Sequence, residues 1–322
     1  MASVAGAAVV VGVDGSARSM VAVEVAVAEA ALRHRPLRIV HALSWPKLPV
    51  PLPPGLTETA PGLRQQARGY LSEAAGIAGR VAPEVAVRTS LVTGRPATVL
   101  REESRRADLM VIGERGMSGL LLGSVAMELT SQAPCPLLVV RGEPRPTGAV
   151  VVGVDGSAQS MRALDFALEE ASLRGTPLVA LHAWAGTDST ELDRDVAAKR
   201  EQWSGAAQEQ RVLAETLAGA GDRYPDVLLR RQVVRGNAGS LLTDWSHTAQ
   251  LVVVGDRGRG GLARLVLGSV SRHLIFHADC PTAVVRGTDP ITDAGETART
   301  EGHRRGAGSA PADSASTPAF RL

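Results

Sequence analysis

The sequence predicts an α/β protein built from two tandem, doubly wound domains, each with a five-stranded parallel sheet. The first observation behind this prediction is that the decapeptide AVVVGVDGSA occurs at 8–17 and again at 149–158. The second is that four further pairs of segments recur in the same order, such as APCPLLVVRG (133–142) and ADCPTAVVRG (278–287). The third is that runs rich in valine, isoleucine and leucine alternate with helical patterns. These runs lack in-and-out alternation, which is typical of parallel strands covered on both faces.

Apolar runs predict the strands, and the longer segments between them predict the helices. In the first half the strands are placed near 8–13, 37–43, 84–92, 108–113 and 137–141, and the helices near 17–34, 63–80, 96–106 and 124–132. In the second half the strands are placed near 149–154, 178–183, 227–234, 250–255 and 282–286. Strands that alternate with helices imply right-handed crossovers and therefore a parallel sheet.

The repeat divides the chain into a first domain at 1–143, a second domain at 144–287 and a tail at 288–322. The joint RGEPRPTG (141–148) is short and rich in proline and glycine, as expected of a connection between domains. The tail is poor in large apolar residues and rich in small and polar ones, so it is predicted to be disordered. Each domain is long enough to bury its own core.

Composition and charge exclude several functional classes. The formal net charge is +2, from 35 Lys and Arg against 33 Asp and Glu, and gives no reason to expect a nucleic acid or an acidic membrane as partner. The 2 cysteines cannot form a disulfide framework, and neither lies in a C-x-x-C pair. No apolar stretch reaches the roughly 18 to 20 uncharged residues of a membrane span. The apolar N-terminal segment lacks a basic leader and recurs in mid-chain, so it is interpreted as a strand and not as a signal peptide. The sequence therefore predicts a soluble, cytoplasmic protein.

The repeated strand ends in Val-Asp-Gly-Ser, at the carboxyl end where doubly wound sheets bind ligands. In the second half Gly156 permits a tight turn, and Ser157 can cap the following helix. An acid at this position, Asp155, can accept hydrogen bonds from a ribose or a base, or help to hold a cation. The alternative is that Asp-Gly-Ser is only good turn-and-cap chemistry, and the motif alone does not decide between the two interpretations.

A glycine-rich loop follows the fourth strand of the second half. Residues 255–269 read G-x2-G-x9-G-S, with Gly255, Gly258, Gly268 and Ser269 at the named positions. Glycines let backbone N–H groups approach phosphate oxygens closely, and a helix that starts at Gly-Ser-Val turns its free amides towards an anion. The loop is not a Walker P-loop, because the chain's only lysines, Lys47 and Lys199, do not follow a glycine. It is also not a Rossmann fingerprint, since it follows the fourth strand and not the first.

Taken together, VVVGVDGS, the LHA after the second strand, G-x2-G-x9-GS and CP..VVR make the sequence similar to a tandem member of the universal stress protein family. The resemblance covers 8–141 and 149–286. It implies the adenine-nucleotide α-hydrolase-like fold, with strand order 3-2-1-4-5 and a crevice between the first and fourth strands. It also implies an ATP site, with Mg²⁺ as an optional companion, formed in the second domain by Gly153, Val154, Asp155, Ala183, Gly236, Gly255, Gly258, Gly268, Ser269 and Val270.

The first domain departs from the family pattern. The loop GERGMSGLLLGS leaves six residues between Gly116 and Gly123, where the pattern has nine. Three missing residues remove about one helical turn of loop where phosphates are wrapped. We therefore expect weaker, altered or absent ATP binding in the first domain, where the matching positions are Asp14, Ala42, Gly94, Gly113, Gly116, Gly123 and Ser124.

The remaining candidate residues favour structure over chemistry. His41 and His182 are repeat-equivalent and are interpreted as packed, hydrogen-bonded histidines in preference to general bases. Cys135 and Cys280 are interpreted as buried structural thiols. No catalytic triad, metal-ligand cluster or carboxylate pair stands out, so catalytic and metal residues are predicted to be absent.

The leading functional hypothesis is an ATP-binding stress or dormancy factor that acts by nucleotide-dependent binding or signalling. Two alternatives stay open. One is a slow ATPase or a pyrophosphatase-like relative of the same fold, and the other is a nucleotide-free scaffold. The two domains are expected to pack about a pseudo-two-fold axis through the edge strands at 137–141 and 282–286. Whether two chains pair further to a homodimer is left open.

Overall fold

The computed structural model describes residues 7–44, 60–114, 116, 124–184, 207–258 and 267–286. The predicted tail at 288–322 lies outside the described residues, as does Gly123. Among the helices of the described ranges, none combines the length and the apolar character that crossing a membrane requires.

The first half alternates strands and helices as predicted. Its elements are β1 (Ala8–Val13), α1 (Ala17–Leu32), β2 (Leu37–Leu43), α2 (Ala60–Val81), β3 (Val87–Thr93), α3 (Pro96–Ser104), β4 (Ala107–Gly113), α4 (Ser124–Gln132) and β5 (Leu137–Val140). The third strand begins three residues later than its predicted start at 84, because Val85 N–H donates to the Ala82 carbonyl oxygen at 3.2 Å and closes a turn there.

The second half repeats this order. Its elements are β6 (Val150–Gly153), α5 (Ala158–Leu173), β7 (Leu178–Trp184), α6 (207–216), α7 (Ala220–Arg223), β8 (Leu229–Arg235), α8 (Ala238–Ser246), β9 (Leu251–Gly255), α9 (Ser269–His277) and β10 (Thr282–Val285). The equivalent turn, from Val227 N–H to the Tyr224 carbonyl oxygen at 3.2 Å, again delays the third strand of the half.

The strands of the described residues form one 10-stranded sheet, in the order β3-β2-β1-β4-β5-β10-β9-β6-β7-β8. Neighbouring strands within each half are parallel, and the single antiparallel pair described joins β5 to β10 at the centre. In that pair Thr282 lies opposite Val139, and Val284 lies opposite Leu137. The strands predicted to form the edges between the domains therefore pair with each other, and the prediction of two tandem α/β domains is confirmed.

Helices cover both faces of the sheet, which explains why its inner strands, such as β1, β5, β6 and β9, are apolar, whereas the edge strands β3 and β8 carry polar residues and are partly exposed. Val9 and Val11 of β1 pack with α1 and α2 on one face, whereas Val10 packs with α3 and α4 on the other. The second half places α5 and α6 on the first face and α8 and α9 on the second. A strand that helices cover on both faces needs no alternation of polar and apolar residues.

A buried charge network joins α1 of the first half to α5 of the second. Arg33 pairs with Glu170, and Arg174 pairs with both Glu29 and Glu170. The Glu170 side chain is only 1% exposed, and burial lowers the pKa of Arg174, with Glu29 opposing that shift and Arg33 adding to it. Because Glu29–Arg33 and Glu170–Arg174 occupy equivalent positions in the repeat, the network has the pseudo-two-fold symmetry of the sheet.

Candidate functional site

The turn after β6 uses every residue of Asp-Gly-Ser. Asp155 Oδ1 accepts a hydrogen bond from the Ser157 N–H at 2.9 Å, and Gly156 has a φ of 78°, which favours glycine. The Ser157 hydroxyl oxygen then caps α5 by accepting from the Ser160 N–H at 3.2 Å. The turn and the helix cap therefore explain the role of Ser157 and of one carboxylate oxygen of Asp155.

The first half repeats this turn closely. Asp14 Oδ1 accepts from the Ser16 N–H at 3.0 Å and from its hydroxyl at 2.6 Å, and Gly15 has a φ of 88°. Ser16 caps α1 through the Ser19 N–H at 3.2 Å. The two acids are thus held in the same way at the ends of the two equivalent strands.

The second carboxylate oxygen of each acid lies against the glycine loop. A Cβ built on Gly258 would fall within 3.0 Å of Asp155 Oδ2, and one built on Gly116 would fall 2.8 Å from Asp14 Oδ2. Neither glycine has a φ in the left-handed region, so glycine is needed here for space and not for backbone conformation. The strand-end acid and the glycine loop, which the sequence assigned to one crevice, do meet in both halves.

The rest of the second glycine loop is anchored by its backbone. A Cβ on Gly255 would lie 3.1 Å from the backbone carbon of Gln159, so β9 ends in close contact with the start of α5. Gly268 N–H donates to the Asp256 carbonyl oxygen at 2.8 Å, which brings the two ends of the loop together. Helix α9 then begins at Ser269, followed by Val270, and no side chain caps its first turn.

The other positions implied in the second domain lie at the ends of neighbouring strands. Gly153 ends β6, and a Cβ there would lie 2.9 Å from Leu242 of α8, so close helix packing already requires this glycine. Ala183 lies near the end of β7 and is half-buried. Gly236, with a φ of 150°, follows β8 and donates its N–H to the Trp184 carbonyl oxygen at 3.0 Å.

The first domain has the same framework. Ala42 lies near the end of β2, and Gly94 follows β3 with a φ of 154°. A Cβ on Gly113 would lie 3.0 Å from the carbonyl oxygen of Arg18 in α1. Ser124 is the first residue of α4. The structure therefore describes every implied position of this domain except Gly123.

Comparison with known proteins identifies the family of the chain. A sequence model of the universal stress protein family matches residues 7–141 and again residues 147–286. The chain belongs to the universal stress protein family. A universal stress protein of Mycobacterium bovis is 39% identical over 293 residues, which covers 86% of this chain and 96% of the relative. One of Mycobacterium tuberculosis is 38% identical over 300 residues, with the same coverage of 86% and 96%.

The solved structure of a universal stress protein from Archaeoglobus fulgidus supports the fold. It superposes with a TM-score of 0.65 at 17% identity and covers 88% of this chain and 97% of its own. Membership of the universal stress protein family supports a role in the stress response.

The two repeat-equivalent histidines of this universal stress protein are held by their own domains. His182 lies with Nδ1 at 2.7 Å from the Val154 carbonyl oxygen and with Nε2 at 2.8 Å from Glu209 Oε2. His41 Nδ1 lies 2.8 Å from the Val13 carbonyl oxygen. Both rings are buried and bonded to the preceding strand, as packed histidines are. The sequence did not predict the role of Glu209, because this residue lies on α6, outside every recurring motif.

Each glycine loop is linked to the opposite half of the chain by one arginine. Arg141 pairs with Glu114, the residue after β4, and its Nε donates to the Ala278 carbonyl oxygen at the end of α9 at 2.6 Å. Its counterpart Arg286 lies 3.6 Å from Asp256 and donates to a carbonyl oxygen of α4. These long-range contacts have no local sequence signal.

The cysteines and the acidic residues give no sign of further chemistry. Burial raises the pKa of the Cys135 and Cys280 thiols to about 12 each, so both stay protonated at neutral pH. Across the described ranges, no group of three or more His, Cys, Asp or Glu side chains has the arrangement of a metal site.

Proposed function

We propose that this universal stress protein binds an adenine nucleotide, ATP with or without Mg²⁺, in the crevice of its second domain. Nucleotide occupancy would then control a binding or signalling step in the stress response. We also propose domain boundaries at 143/144 and 287/288, in line with the repeat. The observation that carries the proposal is the close approach of Gly258 to the Asp155 carboxylate, because it brings an acid and a glycine-rich loop to one point.

The arrangement suits a nucleotide better than a simple anion. Asp155 places a carboxylate oxygen at the crevice, and a carboxylate there suits the hydroxyl groups of a ribose, since it only accepts hydrogen bonds. The uncapped N–H groups at the start of α9 suit phosphate oxygens. The nucleoside end is thus assigned to Asp155 and the strand ends of β6 and β7, and the phosphate end to the glycine loop and to Ser269.

The remaining positions have supporting roles in this proposal. The backbone of Ala183 would read the edge of adenine, as the family resemblance implies, and Gly236 would border the nucleoside. Gly153 and Gly255 would keep the adjacent helices α8 and α5 close to the strand ends. Since the only two lysines are Lys47 and Lys199, backbone amides would do most of the phosphate binding.

Binding is a better-supported function than catalysis. A general base needs a nitrogen that is available to take a proton from the reacting group. Both ring nitrogens of His182 are engaged by Val154 and Glu209, so this histidine of β7 is committed to the fold. We therefore propose binding of ATP and not its hydrolysis, and the experiment below measures turnover directly.

The test compares Asp155→Asn with Asp14→Asn in the nucleotide-stripped chain. Asparagine keeps an oxygen that can accept from the N–H two residues on, so each turn is preserved while the charge is removed. Calorimetry with ATP should show loss of binding for Asp155→Asn and retained binding for Asp14→Asn. Native mass spectrometry of the purified protein should show bound ATP, whereas bound ADP with measurable turnover would favour the ATPase.

Absence of heat for adenine nucleotides with the intact chain, with and without Mg²⁺, would refute the proposal. Equal loss from the two variants would refute its assignment to the second domain.

A further inference from the structure

Tyr70 of α2 lies directly over the turn at the end of β1. A Cβ built on Gly15 would fall 2.5 Å from both Cε1 and Cζ of the Tyr70 ring. The ring is therefore in close contact with the backbone of the Asp14-Gly15 turn. Since Gly15 carries no side chain and has a φ of 88°, the turn is shaped to accept the ring.

The same ring also reaches the end of the second strand. Its centroid lies 5.7 Å from that of His41, with 54° between the ring planes. His41 directly precedes Ala42, the first-domain counterpart of Ala183, to which the proposed function assigns the edge of the base. Tyr70 thus contacts both the turn that follows Asp14 and the His41 ring near the end of β2.

The second domain has a different residue at the position that corresponds to Tyr70 in sequence. β3 begins at Val87 and β8 at Leu229, and Leu71 and Leu213 are both buried in the core, so equivalent positions are 142 residues apart. Counted along the sequence at this spacing, Val212 is the residue that corresponds to Tyr70. The histidine of the second domain lies against the Glu209 carboxylate, whereas that of the first lies against the Tyr70 ring.

We propose that Tyr70 closes the nucleoside part of the first-domain crevice and so determines which domain takes nucleotide. This inference rests on the proposed function and adds a residue to it. The first domain keeps the strand-end acid, the turn and the contact of Gly116 with Asp14, so its framework is that of the second domain. The ring of Tyr70 fills the space that a nucleoside would need.

The experiment measures ATP stoichiometry by calorimetry in the full, nucleotide-stripped chain. Wild type and Tyr70→Phe, which keeps the ring, should bind about one ATP per chain. Tyr70→Val copies the second domain and should raise the stoichiometry to about two. Adding Asp14→Asn to Tyr70→Val should remove the new site alone, while adding Asp155→Asn should remove the original site alone.

The reverse substitution protects the test from a folding artefact. Val212→Tyr should weaken ATP binding in the second domain by about tenfold or more, while thermal unfolding shows whether each variant is folded. A wild type that already binds two ATP per chain, or a folded Tyr70→Val that gains none, would overturn the role of Tyr70 and leave the proposed function intact. If no variant binds ATP, the proposed function and this inference both fail.

Discussion

Gly258→Ala is the most direct test of the contact between acid and loop. The added methyl group would lie closer to Asp155 Oδ2 than the 2.8 Å found for the equivalent contact of Gly116, whereas ordinary van der Waals contact begins at 3.4 Å. The oxygen or the loop would therefore have to move by more than roughly half an ångström. Asp155 cannot turn away freely, because its Oδ1 accepts from the Ser157 N–H at 2.9 Å.

The size of the effect follows from what such a shift removes. A hydrogen bond that involves a charged group contributes about 1.5 to 3 kcal/mol. Losing one between the Asp155 carboxylate and a nucleotide would weaken binding by roughly ten- to a hundredfold. Stability should change by less than about 1 kcal/mol, because alanine suits the backbone conformation and restricts the unfolded chain.

The assay is calorimetric titration of stripped protein with ATP, paired with urea denaturation. Gly221→Ala is the neutral control, since a Cβ there meets nothing within 4 Å and the backbone has no positive φ. Gly116→Ala is the matched steric control in the first domain and should leave the bound fraction unchanged. If Gly258→Ala binds ATP as wild type does, the loop does not position the acid, and the central contact of the proposal is only packing.

Three further predictions concern the framework. Cys135 and Cys280, whose pKa burial raises to about 12, should resist iodoacetamide at pH ~8 in the folded protein and react only after denaturation; native labelling would contradict this. Glu170→Ala removes the buried carboxylate that Arg33 and Arg174 share and leaves both guanidinium groups beside Glu29, so it should cost about 3 to 5 kcal/mol in urea denaturation, whereas Glu102→Ala removes an exposed pair and should cost less than about 1 kcal/mol. Gly142→Ala places a Cβ against a backbone carbonyl of the other half at a φ of 61°, so the melting temperature should fall by several degrees; an unchanged value would show that the junction between the halves can relax.

The sequence predicted the tandem fold because the signals for it are local. Strand β1 is apolar at every position from 8 to 11, since helices cover both of its faces, and the same run recurs at β6. The start of β3 was placed too early because Val85 is apolar but belongs to a turn. Apolar character alone cannot separate the last turn before a strand from the strand itself.

The sequence likewise predicted only those parts of the candidate site that local motifs mark. The Asp-Gly-Ser turns and the glycine loops are short motifs, and their meeting at one crevice follows from strand order. Glu209 and Tyr70 lie on helices about 27 to 29 residues from the histidines that they contact, and no motif marks them. The arginines that join the halves act over more than 130 residues. Such contacts depend on how helices pack on the completed sheet, which a pattern of residue types does not specify.

The comparison of the two halves separates the framework from the ligand site. Equivalent residues perform equivalent tasks in the turns, in the histidine bonds to the preceding strand, and in the arginines that cross between the halves. The halves differ in loop length and in one helix residue: Tyr70 packs on Gly15 in the first half, and Val212 is the corresponding residue of the second half in sequence. Since Asp14, Ser16 and Gly116 keep their mutual geometry beneath the ring, one substitution should be enough to reopen the first crevice, and the remaining effect of its shorter loop can then be measured as the affinity difference between the two sites.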